Sequence, residues 1–240
     1  MFVEFNYQPV LEDYNKDGSL KIESVLKILE NSGNAHSDKA GDSILDRSQK
    51  KLAWVLTDWK IKIDEYPKYG DKIVAKTWSQ SVTQIFNVSR DFEFYCNGKI
   101  CITGTTRWVV LDLTTGRPCK IEKNLIAKYE PEDKSVFEEV KLAKIPAVQE
   151  FSFEKEIQTR RSDIDFNDHV HNLTYLDYAL EVLPEQVYNA HNFSLLRITY
   201  KSPVKAGEKI TAKYAFAEDS HIVYIFGGEG ELKTQLQFVQ

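Results

Sequence analysis

The chain has 240 residues, 42% apolar and 28% charged, with a net charge of −5. That length suits two domains of roughly 120 residues, the composition excludes a disordered chain, and the acidic balance argues against nucleic-acid binding as a bulk property. Cys96, Cys101 and Cys119 show no C-x-x-C spacing, so they read as reduced thiols of a cytoplasmic protein rather than a disulfide framework or a metal site. The start, Met1-Phe2-Val3-Glu4-Phe5, lacks a basic segment followed by a long apolar run, so neither a leader nor a membrane span is expected.

In chain order, an opening strand leads to the junction Asp13-Tyr14-Asn15-Lys16-Asp17-Gly18-Ser19-Leu20. A helix-period run follows, through Leu20, Val25, Leu26, Ile28 and Leu29. The polar stretch 31–49 reads as extra residues inserted before the next strand. Strands are expected over 52–63, 72–80, 85–95 and 100–113, where apolar, β-branched and aromatic residues dominate. Residues 122–150, with Pro131, Pro146 and many charges, read as a partly helical linker. A second junction, Asp163 to Val170, then precedes a helix-period run through Leu173, Leu176, Ala179, Leu180 and Leu183. Strands are expected again over 195–201, 209–217, 221–227 and 230–239.

The second half thus repeats the first. IKIDEYPKYGDKIVAK, from Ile61, matches ITYKSPVKAGEKITAK, from Ile198, at an offset of 137 positions. The junctions match at an offset of 150, Asp13 with Asp163. Each copy reads as strand, junction, one helix and several long strands, an α+β arrangement in which an antiparallel sheet wraps one main helix. Pairing two such sheets side by side would hide their edges.

The copies differ at the junction. The second carries Asp165, Asn167 and His169 at alternate positions, where the first has Asn15, Asp17 and Ser19. Alternate residues of an extended segment share one side, so a carboxylate, an amide and an imidazole are expected to converge just before a helix. Helix starts also leave backbone N–H groups unpaired. Together these groups suit hydrolysis of an acyl group: Asp165 to activate water or attack directly, Asn167 to orient the water or the carbonyl, and His169 to act as acid/base or to position the water. N–H groups around Val170 would hold the oxyanion. Asp163 and Asp168 read as caps or solvated groups, His171 as a surface or supporting residue, and His36 as lacking partners for a metal. Trp54, Trp59, Trp78 and Trp108 read as core. Arg160, Arg161, Lys201 and Lys205 read either as solvated strand ends or as docking groups for an acidic partner or a nucleotide phosphate.

These features resemble the acyl-acyl carrier protein (acyl-ACP) thioesterases. The first copy carries the resemblance in Trp54, Tyr66-Pro67-Lys68-Tyr69-Gly70-Asp71, Thr77-Trp78, Arg90-Asp91-Phe92 and Arg107-Trp108-Val109-Val110-Leu111-Asp112. The second carries it in Asp163-Ile164-Asp165-Phe166-Asn167, His169-Val170, Asn172 and Tyr175. The resemblance implies two tandem hotdog domains: residues 1–121 with the acyl pocket and a degenerate site, a linker over 122–150, and residues 151–240 with the catalytic motif. It places an Asp-x-Asn-x-His motif on Asp165, Asn167 and His169, with Asn172 and Tyr175 in support. The Glu that the family commonly adds falls on Pro203. A second resemblance, to 4-hydroxybenzoyl-type coenzyme A thioesterases, places their key carboxylate on Asp165. The implied reaction is hydrolysis of a fatty acyl-phosphopantetheine thioester on acyl carrier protein, with no cofactor or metal. An acyl-coenzyme A thioesterase and a non-catalytic acyl-binding module are the alternatives. Whether two chains form a homodimer is left open.

Overall fold

The chain divides into two units in the computed structural model, Met1–Lys141 and Leu142–Gln240. The residues described are 1–43, 51–81, 85–139 and 142–240.

The first unit holds β1 (Val3–Tyr7), α1 (Ile22–Lys39), β2 (Leu52–Ile63), β3 (Ile73–Ser79), β4 (Asn87–Cys96), β5 (Lys99–Asp112), β6 (Arg117–Cys119) and α2 (Lys123–Ala127). Its antiparallel strands run in the order β1-β3-β4-β5-β2, with β6 added to β5. The second unit holds β7 (Phe153–Gln158), α3 (Thr174–Leu180), α4 (Glu185–Ala190), β8 (Leu195–Tyr200), β9 (Lys209–Ala217), β10 (Ser220–Phe226) and β11 (Leu232–Val239). Its order is β7-β9-β10-β11-β8, again antiparallel. Element for element, the second unit repeats the strand order of the first.

The strand pattern follows from local chemistry. Asn97-Gly98 joins β4 to β5 with both residues at positive φ, the backbone a tight hairpin requires and that this dipeptide tolerates. In each unit the main helix lies on the sheet, α1 against β1, β3 and β4, and α3 against β10 and β11. Leu20, Val25, Leu26, Ile28 and Leu29 are buried in the first unit, and Leu176 and Ala179 in the second. The architecture is the α+β arrangement of one antiparallel sheet and one main helix per repeat.

α1 does not stop where the polar stretch begins but continues to Lys39. Ser32, Gly33, His36 and Ser37 are buried, so the helix keeps an inward face built from small and polar side chains. Ser32 Oγ donates to the Leu29 carbonyl at 2.7 Å and Ser37 Oγ to the Gly33 carbonyl at 3.2 Å. Such groups can be buried at little cost once they are bonded. Residues 44–49 of that stretch lie outside the described residues.

Residues 122–150 are divided between the units. Ile121 and Ile126 pack with Val88 and Val110, and Trp78 Nε1 donates to the Lys134 carbonyl at 2.8 Å. Ile145 packs with Ile222 and Tyr224 of the second unit.

Candidate active site

The two junctions fold alike. Asp13 and Asp163 each sit in a short 3-10 turn, Leu11–Asp13 and Arg161–Asp163. Ile164 bridges Val170 as Tyr14 bridges Leu20. Between the bridges lies a tight turn: Asp165 N–H donates to the His169 carbonyl at 2.8 Å, and Asp168 N–H to the Asp165 carbonyl at 3.1 Å. The first copy makes the same two bonds, Asn15 to Ser19 and Gly18 to Asn15, at 2.8 and 3.0 Å. Asp168 stands at φ +59° where the first copy has Gly18 at +77°.

Asp165, Asn167 and His169 therefore do not project from an extended strand, as the alternation suggested. A four-residue turn intervenes, and the Asp165 carboxylate gathers the other two. Asn167 donates to it twice, from its backbone N–H at 2.8 Å and from Nδ2 at 3.2 Å. His169 N–H lies 3.5 Å from Asp165 Oδ1. Asn167 is exposed, and Asp165 and His169 are half-buried, so a carboxylate, an amide and an imidazole share one accessible turn. In the first copy Asp17 turns inward on Ser19, accepting its N–H at 2.9 Å and its hydroxyl at 2.5 Å. Those bonds hold the Asp17 carboxyl down at about 2.

The amide expected to bind an oxyanion is engaged elsewhere. Val170 N–H donates to the Val204 carbonyl at 2.9 Å, as Leu20 N–H does to the Pro67 carbonyl at 2.8 Å. Val170 is a buried structural link between the turn and the 201–208 loop, not a free donor. The supporting residues belong to the same wall. Tyr175 is buried, and its hydroxyl receives Val204 N–H at 2.8 Å. Burial pushes that phenol up to about 12. Asn172 contributes its carbonyl, which accepts the Tyr200 hydroxyl at 2.9 Å.

Asp163 is a hub rather than a solvated group. It is 3% exposed and accepts Arg160 N–H at 2.7 Å, Arg160 Nε at 2.9 Å and the Tyr178 hydroxyl at 2.5 Å. Asp168 is exposed, and His171 is half-buried with its N–H on the Asp163 carbonyl at 2.8 Å. Phe166, at the tip of the turn, is 69% exposed. Pro203 carries no acid, but its carbonyl accepts Lys233 Nζ at 2.9 Å. Sequence reasoning missed Lys233 and its partner Glu208. The repeat carried a signal for the latter, because Glu208 answers to Asp71, and both carboxylates receive the backbone N–H three residues earlier.

The first unit contains a pocket with some 650 Å³ free of protein atoms, part of it open to solvent. Trp54, Trp59, Phe92 and Trp108 line it, with Arg90 and Tyr129 supplying polar wall. Three of the four tryptophans thus line this space, and Trp59 and Trp78 are both fully buried. His36 is buried behind Tyr129, with Nε2 at 3.4 Å from that residue's carbonyl. Burial, reinforced by the Arg90 charge, drives its imidazole down to about 3. Cys96 and Cys101 are free thiols whose burial pushes both up to about 12. Among the described residues no group of His, Cys, Asp and Glu is arranged to hold a metal ion, and no helix is long and apolar enough to cross a membrane.

The chain is 27% identical over 197 residues to oleoyl-acyl carrier protein thioesterase 1, chloroplastic, of Arabidopsis thaliana, covering 75% of this chain and 54% of that protein. It is 29% identical over 199 residues to the palmitoyl-acyl carrier protein thioesterase, chloroplastic, of the same plant, covering 77% and 48%. The chain thus spans about half the length of the curated relatives it matches. Two solved structures share the double hotdog fold. The 12:0-ACP thioesterase from Umbellularia californica superposes with a TM-score of 0.90 at 18% identity, covering 99% of this chain and 96% of that one. An acyl-ACP thioesterase from Bacteroides thetaiotaomicron gives 0.86 at 20% identity, covering 99% and 97%. The model of the acyl-ACP thioesterase N-terminal domain matches residues 3–129, and that of the C-terminal domain matches residues 147–237. With both halves matched, this chain belongs to the acyl-ACP thioesterase family.

Proposed function

We propose that this protein hydrolyses the thioester of acyl-acyl carrier protein, releasing a free fatty acid and the carrier with its phosphopantetheine thiol. The observation that carries the reading is the Asp165 turn. The Asp165 carboxylate, bonded to Asn167 and near the backbone N–H of His169, shares an accessible turn of the second unit with the His169 imidazole, while the matching positions of the first unit are Asn15, Asp17 and Ser19, with no imidazole and a carboxylate already engaged by Ser19. Family membership and the pocket of the first unit support the substrate class. The tryptophan-lined space suits a fatty acyl chain, and aromatic walls with a few polar groups are typical of small-ligand sites.

In this reading Asp165 takes a proton from the attacking water, or attacks the carbonyl carbon itself, expelling the thiolate and leaving an anhydride that water then hydrolyses to the fatty acid and the free carboxylate. His169 returns a proton to the departing thiolate. Asn167 is anchored by Asp165 through one N–H of Nδ2 and offers the other to the thioester oxygen as it gains charge. Val170 N–H, spent on Val204, has no part in this. A general base contributes about 10²–10⁴-fold and one oxyanion donor about 3 kcal/mol of barrier. Within the proposal, residues 1–121 provide the acyl pocket together with Tyr129, the rest of 122–150 connects, and 151–240 carry the chemistry.

The test is mass-spectrometric detection of free fatty acid and holo carrier from acyl-ACP, with wild type, Asn167→Ala and His169→Ala. The reading expects stoichiometric products from wild type and losses of at least about a hundredfold in both variants. Full activity in both folded variants would remove the site assignment. Acyl-ACP bound but never hydrolysed would replace the enzyme with an acyl-binding module.

A further inference from the structure

We propose that Lys233 and Glu208 are positioning residues for the Asp165/Asn167/His169 turn, holding from behind the loop against which that turn is built. The inference rests on the site reading above.

The loop is residues 201–208, between β8 and β9. It meets the turn segment at two points, where Val204 accepts Val170 N–H and Lys205 bridges His169, and the following helix at a third, where Val204 N–H binds the Tyr175 hydroxyl. Moving this loop moves the backbone of His169. Most of the loop is itself exposed, yet one buried cation fastens it. Lys233 on β11 is 6% exposed. Its Nζ donates to the Pro203 carbonyl at 2.9 Å and pairs with Glu208 Oε1 at 3.2 Å and Glu231 Oε1 at 2.7 Å. An ammonium has three N–H donors, and here all three have acceptors. The other oxygen of Glu208 receives Lys205 N–H at 2.9 Å. The Lys233 carbonyl accepts Lys201 N–H at 2.8 Å and Ser202 N–H at 3.3 Å. One residue therefore fastens positions 201, 202, 203 and, through Glu208, 205.

Two observations argue that this is more than a surface ion pair. Gly227 faces the cluster so closely that a Cβ there would fall inside contact distance of Lys233 Cε and of both carboxylates. The backbone has made room for the charges. The first unit, whose turn has Asn15 in place of Asp165 and no imidazole, builds the same loop with no cation paired to its carboxylate among the described residues. Lys68 N–H binds Asp71 at 2.6 Å, but Asp71 is completed by Asn97 Nδ2 at 2.7 Å and Cys96 Sγ at 3.1 Å. The buried cation accompanies the repeat that carries the histidine. Burial works against the ammonium, but Glu231 and Glu208 outweigh it and raise its pKa, so Lys233 keeps its charge across the neutral range.

The experiment measures acyl-ACP hydrolysis by Lys233→Met, Glu208→Ala and Glu208→Gln, with Lys155→Met as a control. Lys155 pairs with the exposed Glu181 at 2.6 Å. The expected result is a fall in kcat of at least tenfold for Lys233→Met and Glu208→Ala, with KM within twofold of wild type. Glu208→Gln, which can still cap Lys205 N–H, should recover most of the loss. Amide chemical shifts of His169, Val170 and Lys205 should move in Lys233→Met and stay in Lys155→Met. Should Lys233→Met fail to fold, the Glu208 pair carries the same comparison. Unchanged kcat and unchanged His169 shifts in a folded Lys233→Met, or no difference between the two Glu208 variants, would overturn the proposal. His169→Ala separates the two levels: if it is fully active the site reading fails, whereas an inactive His169→Ala beside a fully active Lys233→Met sinks only the positioning role.

Discussion

Asp165→Asn separates a capping carboxylate from a reacting one. The substitution keeps one acceptor oxygen, so the 2.8 Å bond from Asn167 N–H survives. It replaces the other oxygen with an NH₂ group facing Asn167 Nδ2, which now stands at 3.2 Å from that oxygen. One side-chain bond on an accessible turn is lost, worth about 1 kcal/mol, or about 2–4 °C in Tm for a chain of this size. The fold tolerates the change because the first unit already makes the same turn with Asn15. The chemistry should not tolerate it. An amide cannot take a proton from water, so hydrolysis should fall by about 10²–10⁴-fold, roughly 3–5.5 kcal/mol of barrier. Thiol release from acyl-ACP, followed beside thermal unfolding, reads both numbers on one preparation. A rate within threefold of wild type would refute the reasoning. So would a loss of stability above about 3 kcal/mol, since misfolding would then account for the lost rate.

Further outcomes follow from the same geometry. Asp168→Gly places glycine where the first repeat has it, relieving left-handed strain at some cost in unfolded-chain entropy. It should stabilise by about 0.5 kcal/mol in urea unfolding and leave kcat unchanged. His36 is buried neutral, held near 3 against an ordinary 6.5. Its contribution is complete above pH 6.5 and is lost as pH falls toward 3, because the unfolded state takes up a proton that the folded state refuses. Wild type should therefore lose about 1.4 kcal/mol per pH unit more than His36→Asn between pH 6 and pH 4; parallel curves would contradict the assignment. Val88→Phe narrows the pocket of the first unit. It should cut kcat/KM for the longest accepted chain by about tenfold while sparing short ones, on the scale of one to two kcal/mol for overpacking.

Much of this was legible in the residues because it rests on local patterns. The strands at 52–63 and 209–217 are apolar runs bounded by turn residues, and they occur as read. The repeat at Ile61 and Ile198 became the same strand order in both units. What escaped depends on contacts distant in sequence. α1 runs on through Ser32, Gly33 and Ser37 because Arg90, fifty-odd positions later, covers that face. Alternation alone suggested an extended Asp165–His169 segment, yet the positive φ at Asp168 folds it into a turn. The free-donor role of Val170 was a generic property of helix starts, overridden by the Val204 carbonyl. Lys233 looked like an ordinary strand lysine until Glu208, Glu231 and Pro203 surrounded it.

The central claim is that the turn at Asp165 serves hydrolysis of carrier-bound acyl groups. The most direct measurement is kcat/KM for thiol release from one acyl chain presented on acyl carrier protein and on coenzyme A. The account predicts turnover with both thioesters and the higher value on the carrier protein. A higher value on coenzyme A would move the substrate to the coenzyme A ester, and no thiol release from either across chain lengths would contradict the account.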